Sequence, residues 1–198
     1  MRKIALTGGI ATGKSYVASR LRARGIPVVD ADVLAREAVM PGSDGLKAVV
    51  KRFGEDVLTP EGTLNRARLG EIVFRDKQAR SDLEAIIHPF VRRKIDEFFA
   101  ALPDGQRFGV ADVPLLYETG RQRNFDRVIV AATSRDRQIA RIMSRDGLAR
   151  EEAERRVAAQ LPIEAKVALA DYVIRTDGTH EETDQQVEKL VAELRTQN

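Results

Sequence analysis

The 198-residue sequence contains no cysteine and no tryptophan, and only 5% of its residues are aromatic. Without cysteine, a disulfide framework and a thiolate metal site are both excluded, while the redox compartment stays open. No apolar run approaches the ~20 residues that a membrane helix needs, and the first residues lack a signal-peptide pattern. We therefore expect a cytoplasmic protein with no membrane partner.

Charge of either sign is nearly balanced, since 33 basic and 30 acidic residues leave a formal net charge of +3. Basic residues mostly alternate with acids, as in residues 150–156, which is more typical of a solvated helix face than of a nucleic-acid surface. The few aromatic residues provide no evident platform for stacking bases. We expect no nucleic-acid partner, and a small anionic substrate would explain the slight cationic excess.

The chain is organised around the segment from Gly8 to Ser15, which reads GGIATGKS and separates a short apolar run from a helical pattern. Glycines at 8 and 13 let the backbone turn tightly and bring N–H groups against phosphate oxygens. The helix that follows adds N–H groups and a positive dipole end. Lys14, a loop residue expected to bury little, is predicted to reach the phosphates, and Ser15 to bind Mg²⁺. The alternative, a turn that only caps a helix, fits this context less well.

Two later strands are predicted to end in aspartate. The second strand ends at Asp30 and Asp32, at the carboxyl edge where ligands bind in open α/β sheets. We expect one of them to cap a helix beginning near Val33, and Asp32 to act as a general base or Mg²⁺ partner. The third strand ends at Asp112, a Walker B-like position whose carboxylate can hold Mg²⁺ or its water shell.

Residues 33–102 have a helical pattern that is longer than a simple crossover needs, and we interpret them as an inserted subdomain for substrate recognition. Pro89 interrupts the apolar spacing. One helix is therefore expected to end near Ile87 and another to begin at Pro89, with His88 at its cap.

An arginine-dense segment follows the fourth predicted strand. A charged solvent face accounts for most of these arginines. A helical lid that excludes water and brings an arginine to the charge developing during phosphoryl transfer has the same appearance. Arg141 and Arg145 lie one helical turn apart and are both candidates for phosphate contacts. We expect Arg141 to act mainly once both substrates are bound.

Taken together, these stretches resemble the dephospho-CoA kinase family, which transfers the γ-phosphoryl group of ATP to the ribose 3′-hydroxyl of dephospho-CoA. The resemblance covers nearly the whole chain, and its stretches are Leu6 to Ser15, Asp30 to Arg36, Leu64-Asn65-Arg66 with Leu69, Ile87-His88-Pro89, Val113 to Glu118, and Gln160-Leu161-Pro162 with Lys166 and Ala170-Asp171. The phosphate loop alone is shared by many ATPases and GTPases. The second, fourth and fifth stretches, in this order, are specific.

The resemblance implies an α/β protein of the P-loop NTPase type, a three-layer fold with a five-stranded parallel sheet, a helical substrate-binding insertion and a helical lid. Residues 1–32, 103–133 and 161–198 would form the nucleotide-binding core. Residues 33–102 would form the CoA-binding insertion, and residues 134–160 the lid. A monomer or weak homo-oligomer is expected.

The resemblance also implies the site residues. Asp32 would be the general base, with Lys14 and Arg141 as further catalytic residues. The expected contacts to ATP are Gly8, Gly9, Ala11, Thr12, Gly13, Lys14, Ser15 and Tyr16, with Ser15 also on Mg²⁺. The expected contacts to the acceptor, dephospho-CoA, are Arg66, His88, Asp112 and Leu115.

Two residues depart from the family pattern. Ala11 stands where the family usually has glycine, a change that the loop tolerates only if the φ angle of Ala11 stays negative. Thr176 stands where the family commonly has asparagine, so a nucleotide contact assigned to that side chain is not carried over.

Other classes of function remain as alternatives. A regulatory GTPase would need an Asn/Thr-Lys-x-Asp tetrapeptide, which the sequence lacks. An ATP-driven binding protein without a small acceptor, and another small-molecule kinase of similar build, both stay open.

Overall fold

The computed structural model describes residues 1–196. The chain forms two compact units, one made of Met1–Val29 and the chain from Leu102 onward, the other of Asp30–Ala101. The first unit contains the phosphate-loop segment and the second contains most of the predicted insertion. Each unit is described by itself below.

A five-stranded sheet has the order β2-β3-β1-β4-β5. Its strands are β1 (Arg2–Gly8), β2 (Val28–Asp30), β3 (Phe108–Asp112), β4 (Arg127–Ala132) and β5 (Tyr172–Arg175). The central strand β1 runs parallel to β3 and β4, with Leu6 opposite both Asp112 and Ile129. Ile4, Ala5 and Leu6 are consecutive apolar residues of β1, and all three are fully buried. Such a run is typical of a parallel strand that is covered on both faces of the sheet. The predicted α/β class with a five-stranded parallel sheet is confirmed.

The α-helices lie in three of the four connections between the parallel strands and after the last strand. In chain order they are α1 (Lys14–Ala23), α2 (Ala31–Glu37), α3 (Asp44–Phe53), α4 (Arg66–Arg75), α5 (Lys77–Ala100), α6 (Arg135–Asp146), α7 (Arg150–Ala158), α8 (Ile163–Ala168) and α9 (His180–Thr196). Within residues 1–196, none of them has the length and apolar character to cross a membrane. The predicted core range ends at residue 198, so its last two residues lie outside the described part.

The core of the first unit lies between the sheet and two helices. The apolar residues of α1 and α9 pack on those of β1, β3 and β4 in one buried cluster. The spacing of Val187, Leu190, Val191 and Leu194 places them on one face of α9, and all four are buried there. This packing anchors the beginning of α1, and with it the loop that joins β1 to α1.

The second unit is helical, and its helices begin at side-chain caps. Ser43 accepts a hydrogen bond from the N–H of Leu46 at 3.1 Å, and Asn65 accepts one from Arg68 at 3.0 Å. The helices enclose a core of Val39, Val49, Val57 and Leu69, with Val50, Phe53, Leu64, Ile72, Val73, Leu83, Ile86 and Ile87 packed around it. Asp30 caps α2 by accepting from the N–H groups of Asp32 and Val33. The helix therefore begins at Ala31, slightly earlier than expected.

The predicted break at Pro89 is wrong, because α5 runs without interruption from Lys77 to Ala100 with Pro89 inside it. An internal proline costs about 3 kcal/mol through a lost hydrogen bond and a steric clash. Val91, Ile95 and Phe99 are buried beyond the proline, and each such side chain contributes about 1.5–3 kcal/mol. Packing therefore outweighs the local penalty, and His88 lies in the interior of the helix rather than at a cap.

Candidate active site

The phosphate loop has the tight geometry that its glycines predict. A Cβ added at Gly8 would lie 2.5 Å from Thr12 Oγ1, and one at Gly9 would lie 2.6 Å from Gln138 Nε2. Gly13 has a φ of 79°, in the left-handed region, directly before α1 begins. The Thr12 hydroxyl donates to the Gly9 carbonyl at 2.9 Å and closes the turn. Larger residues at these positions would push the loop open.

Side chains from elsewhere in the first unit hold successive carbonyl groups of this loop. The bonds run from Lys166 to the oxygen of Gly8 at 3.0 Å, from Gln138 to Ile10 at 2.7 Å, from Arg141 to Ala11 at 3.1 Å and from Thr176 to Thr12 at 2.7 Å. In a planar trans peptide the N–H points away from the C=O. Holding a carbonyl therefore also fixes the direction of the next residue's N–H, and the N–H groups of Gly9, Ala11 and Gly13 are oriented in this way beside the start of α1, where an anion can bind.

The expectation that Ala11 keeps a negative φ is wrong, since its φ is 58°. The left-handed conformation costs a residue with a Cβ about 1–2 kcal/mol. Two contacts offset that cost: Arg141 holds the Ala11 carbonyl, and Ala11 packs against the buried cluster of Ile139, Ile142 and Ala153. The loop thus keeps its shape with alanine at a position suited to glycine.

Replacing Ala11 with valine is expected to lower the free energy of unfolding by about 2 kcal/mol, because a β-branched residue is strained at positive φ. Ala11→Gly is the matched control and should change the free energy of unfolding by less than about 1 kcal/mol. Glycine relieves the backbone strain, but it also loses the methyl contact and makes the unfolded chain more flexible, so the effects largely cancel. Urea unfolding of both variants measures the difference. Equal midpoints for Ala11→Val and the parent would contradict the left-handed conformation.

Lys14 forms an ion pair with Asp112, whose carboxylate is almost fully buried. Lys14 begins α1, Asp112 ends β3, and the adjacent strands β1 and β3 bring them together. A buried carboxylate requires a partner because its desolvation is costly. The expectation that Lys14 buries little is therefore wrong, since only 16% of its side chain is exposed.

Arg141 and Arg145 point to different partners. Besides Ala11, the Arg141 guanidinium donates to the hydroxyl of Thr176 at 3.1 Å and to its carbonyl at 2.6 Å. Arg145 is paired with Asp146, and its hydrogen bond holds the pKa of that carboxyl below the ordinary value. Arg141 is thus built into the loop, and Arg145 is engaged at the surface.

Asp177 joins the ends of β4 and β5 next to the loop. It accepts hydrogen bonds from the Thr133 hydroxyl at 2.9 Å and the Ser134 N–H at 2.8 Å. Burial alone would raise the pKa of Asp177, but these bonds and the nearby charges of Arg175 and Arg137 outweigh it and lower the pKa below the ordinary 3.8. The ionised Asp177 therefore contributes its full stabilisation of the fold above the ordinary pKa of 3.8. That contribution is lost as the pH falls through the lowered pKa of the folded protein.

Other residues expected near ATP are placed as follows. Ser15 is exposed in the first turn of α1. The Tyr16 ring stacks on His180 with a centroid distance of 4.3 Å, and its hydroxyl donates to Asp184. The Tyr16 N–H is bonded to the Gly13 carbonyl at 3.0 Å. Leu115, expected near the acceptor, is a surface residue after β3.

In the second unit, Asp32 is exposed in the first turn of α2 and Arg66 is exposed at the start of α4. His88 is half-buried and lines an open concavity of about 740 Å³ along α5. The other residues of its lining are Ala85, Pro89, Arg92, Arg93, Asp96, Glu97 and Ala100. The lining thus carries charges of both signs, and Arg93 is paired with Glu97 at 3.4 Å.

Sequence reasoning did not identify Gln138, and gave Gln160, Lys166 and Thr176 no structural role. The position of Thr176 directly after β5, at the carboxyl edge of the sheet, is a signal that could have pointed to it. Gln138 lies in α6 with no local signature, and the stretch Gln160-Leu161-Pro162 belongs to the family resemblance without indicating a contact. The role of both glutamines follows only from contacts with Ile10, which is more than a hundred residues away.

Comparisons with known proteins agree on one family. A family model described as dephospho-CoA kinase matches residues 2–182. A dephospho-CoA kinase from Anaeromyxobacter dehalogenans is 50% identical over 98% of this chain and 93% of its own, and one from Geobacter sulfurreducens is 46% identical over 97% and 98%. A solved dephospho-CoA kinase from Campylobacter jejuni superposes with a TM-score of 0.74 at 31% identity, covering 98% of this chain and 96% of its own.

The family model spans every strand of the sheet and the chain up to the first turn of α9. The phosphate loop lies within the matched residues, between β1 and α1. The chain belongs to the dephospho-CoA kinase family.

Proposed function

We propose a division of roles among this chain's residues in the reaction of its family, the transfer of the γ-phosphoryl group of ATP to the ribose 3′-hydroxyl of dephospho-CoA. The chain is a kinase that makes coenzyme A in the final step of its synthesis. The role of the phosphate loop is supported by the four side-chain hydrogen bonds to its backbone carbonyls. They fix the direction of backbone N–H groups beside the positive end of α1, and we assign this anion site to the phosphates of ATP.

Lys14 and Ser15 are proposed to bind the phosphates, with Gly8, Gly9, Ala11, Thr12, Gly13 and Tyr16 as the further ATP contacts. When ATP binds, the Lys14 ammonium gains a polyanion as a partner beside Asp112. Its positive charge then opposes the negative charge that grows on the transferred group.

Mg²⁺ is proposed to accompany ATP and to neutralise charge on the β and γ oxygens. Ser15 and Asp112 offer the hydroxyl and carboxylate oxygens that Mg²⁺ prefers. Among residues 1–196, no group of three or more His, Cys, Asp or Glu forms a metal site.

Asp32 is proposed as the general base that accepts the proton of the 3′-hydroxyl. Arg66, His88, Asp112 and Leu115 are proposed to contact the acceptor, and residues 33–102 to form its binding insertion. The half-buried His88 and the nearby Arg92 of the α5 concavity support this assignment, because they can donate to an anionic molecule.

The localisation, oligomeric state and partners of the enzyme are also proposals. We expect a cytoplasmic monomer or weak homo-oligomer that has neither a nucleic-acid nor a membrane partner, because its charges are balanced and interleaved. Light scattering on purified protein measures the mass; a stable large assembly would contradict this view.

The activity is tested by offering the purified chain ATP, Mg²⁺ and one acceptor at a time: dephospho-CoA, shikimate or a nucleoside monophosphate. We expect a product heavier than dephospho-CoA by one phosphoryl group, with phosphorus NMR placing it on the ribose 3′ oxygen. Efficient transfer to another acceptor, with none to dephospho-CoA, would refute the assignment. ATP hydrolysis that ignores every acceptor would favour an ATP-driven binding protein.

Replacing Arg141 with alanine is expected to lower kcat by ~10²-fold, because a donor that we assign to the transferring group is lost. Since Arg141 holds the Ala11 carbonyl, the variant should also weaken ATP binding, which revises the expectation that Arg141 acts mainly once both substrates are bound. Calorimetric ATP titration and steady-state rates separate the two effects. Arg155→Ala, at a surface pair with Glu152, is the control and should behave as the parent. Unchanged ATP affinity in Arg141→Ala would restore the original expectation.

A further inference from the structure

Lys166 is a fully buried lysine that no step proposed above uses. It lies on α8, and its Nζ donates to the Gly8 carbonyl at 3.0 Å and forms an ion pair with Glu118 at 2.7 Å. Burying an ammonium group is unfavourable unless its partners are well placed. A positive charge whose burial is unfavourable therefore lies in contact with the first peptide group of the phosphate loop.

Glu118 connects this charge to a second contact with the loop. One of its carboxylate oxygens accepts the N–H of Leu161 at 3.1 Å as well as the Lys166 ammonium. The neighbouring residue, Gln160, accepts the N–H of Ile10 at 2.8 Å. The ion pair thus acts on the loop in two ways. It fixes Lys166, which holds the Gly8 carbonyl, and through Leu161 it fixes the backbone beside Gln160, which holds the Ile10 N–H.

A further bond ties the same two segments together. The Tyr117 hydroxyl donates to the Leu169 carbonyl at 2.9 Å, just beyond α8. Burial, with the nearby Asp171 carboxylate, raises the pKa of Tyr117 to about 12, so the phenol stays protonated and able to donate at neutral pH. This bond therefore helps to hold the segment after β3 against the segment that contains α8.

We propose that Lys166 and Glu118 are a positioning pair for ATP binding, which holds the phosphate loop in its anion-binding shape through Gly8 and Ile10. The physical reason is that a charge-assisted hydrogen bond is stronger than a neutral one and resists rotation of the peptide it holds. The Gly8 carbonyl and the Gly9 N–H belong to the same planar peptide, so holding one orients the other. The inference rests on the assignment of the loop to the phosphates of ATP.

The test is the affinity of folded Lys166→Met for a non-hydrolysable ATP analogue, measured by calorimetry after circular dichroism has confirmed folding. We expect the dissociation constant to rise by ~10-fold or more, the equivalent of one charge-assisted hydrogen bond, and the KM for dephospho-CoA to change by less than about twofold. Lys189→Met, on the exposed surface of α9, removes the same charge and should leave both values unchanged.

A purely structural pair gives a different result. In that case Lys166→Met would be less stable, but its folded fraction would bind the ATP analogue as the parent does, and the proposal would be overturned. Binding of the analogue does not require transfer. A parent that binds it but never phosphorylates dephospho-CoA would therefore contradict the function while leaving this inference standing.

If Lys166→Met fails to fold, the double variant Lys166→Met/Glu118→Gln avoids leaving an unpaired charge in the interior. It must show the same loss of affinity for the analogue. Glu118→Gln alone keeps an oxygen for the Leu161 N–H but weakens the hold on Lys166, and we expect a smaller loss from it. Parent-like affinity in whichever of these variants folds would overturn the proposal.

Discussion

Asp32→Asn is expected to lower kcat by ~10²–10⁴-fold, the contribution typical of a general base. A ribose hydroxyl is a poor nucleophile at neutral pH, and asparagine keeps the size of the side chain but cannot accept the proton. Because phosphoryl transfer has a loose transition state with little need for early deprotonation, we expect the loss to lie near the lower end. Both substrates should still bind, so a KM close to that of the parent should accompany the low kcat.

The neighbouring Asp30 provides a matched control for this prediction. Asp30 caps α2 through the N–H groups of Asp32 and Val33, and asparagine is about as good a cap as aspartate. Asp30→Asn should therefore turn over like the parent. The acidic limb of the kcat–pH profile should disappear in Asp32→Asn alone. If that limb persists in Asp32→Asn, another group is the base and the assignment should be withdrawn.

Lys14→Ala is expected to lower kcat by at least ~10²-fold, on the order of the cost of deleting one electrostatic donor to the transition state. Stability should fall as well, because the nearly buried Asp112 loses its counter-ion, and breaking a buried pair from one side costs roughly 3 kcal/mol. Rates must therefore be measured well below the unfolding temperature and normalised to folded protein.

The double variant Lys14→Ala/Asp112→Asn separates these two effects. Without a carboxylate, position 112 no longer needs a counter-ion, so urea unfolding should show part of the lost stability restored. The catalytic loss should remain, because the cation is still missing. Near-normal turnover of folded Lys14→Ala would show that the phosphate loop does not hold the transferred group.

Local chemistry was sufficient to predict much of this fold. The strands β1, β3 and β4 contain short apolar runs, and α9 has a regular apolar spacing along one face, so the burial of these residues could be predicted from the local sequence. The capping role of Asp30 follows from the preference of aspartate for helix starts. The loop could be identified because its glycines, lysine and serine act at fixed separations along the chain.

Features that depend on distant partners could not be predicted in this way. Pro89 is a helix breaker by every local criterion, yet α5 continues because buried residues on both sides outweigh the penalty. Ala11 takes a positive φ because Arg141 and a buried apolar cluster hold it there. Neither partner can be recognised from the residues next to these positions.

The sequence by itself determined where the phosphate-loop pattern lies and the order of the strands along the chain, because composition, spacing and periodicity act over a few neighbouring residues. Tertiary structure alone decided how the loop is held. Lys14 meets Asp112 across adjacent strands, and Lys166 and Thr176 reach loop carbonyls from more than 150 residues away. Such contacts arise from packing of the whole unit, in which burial makes each polar group require a partner.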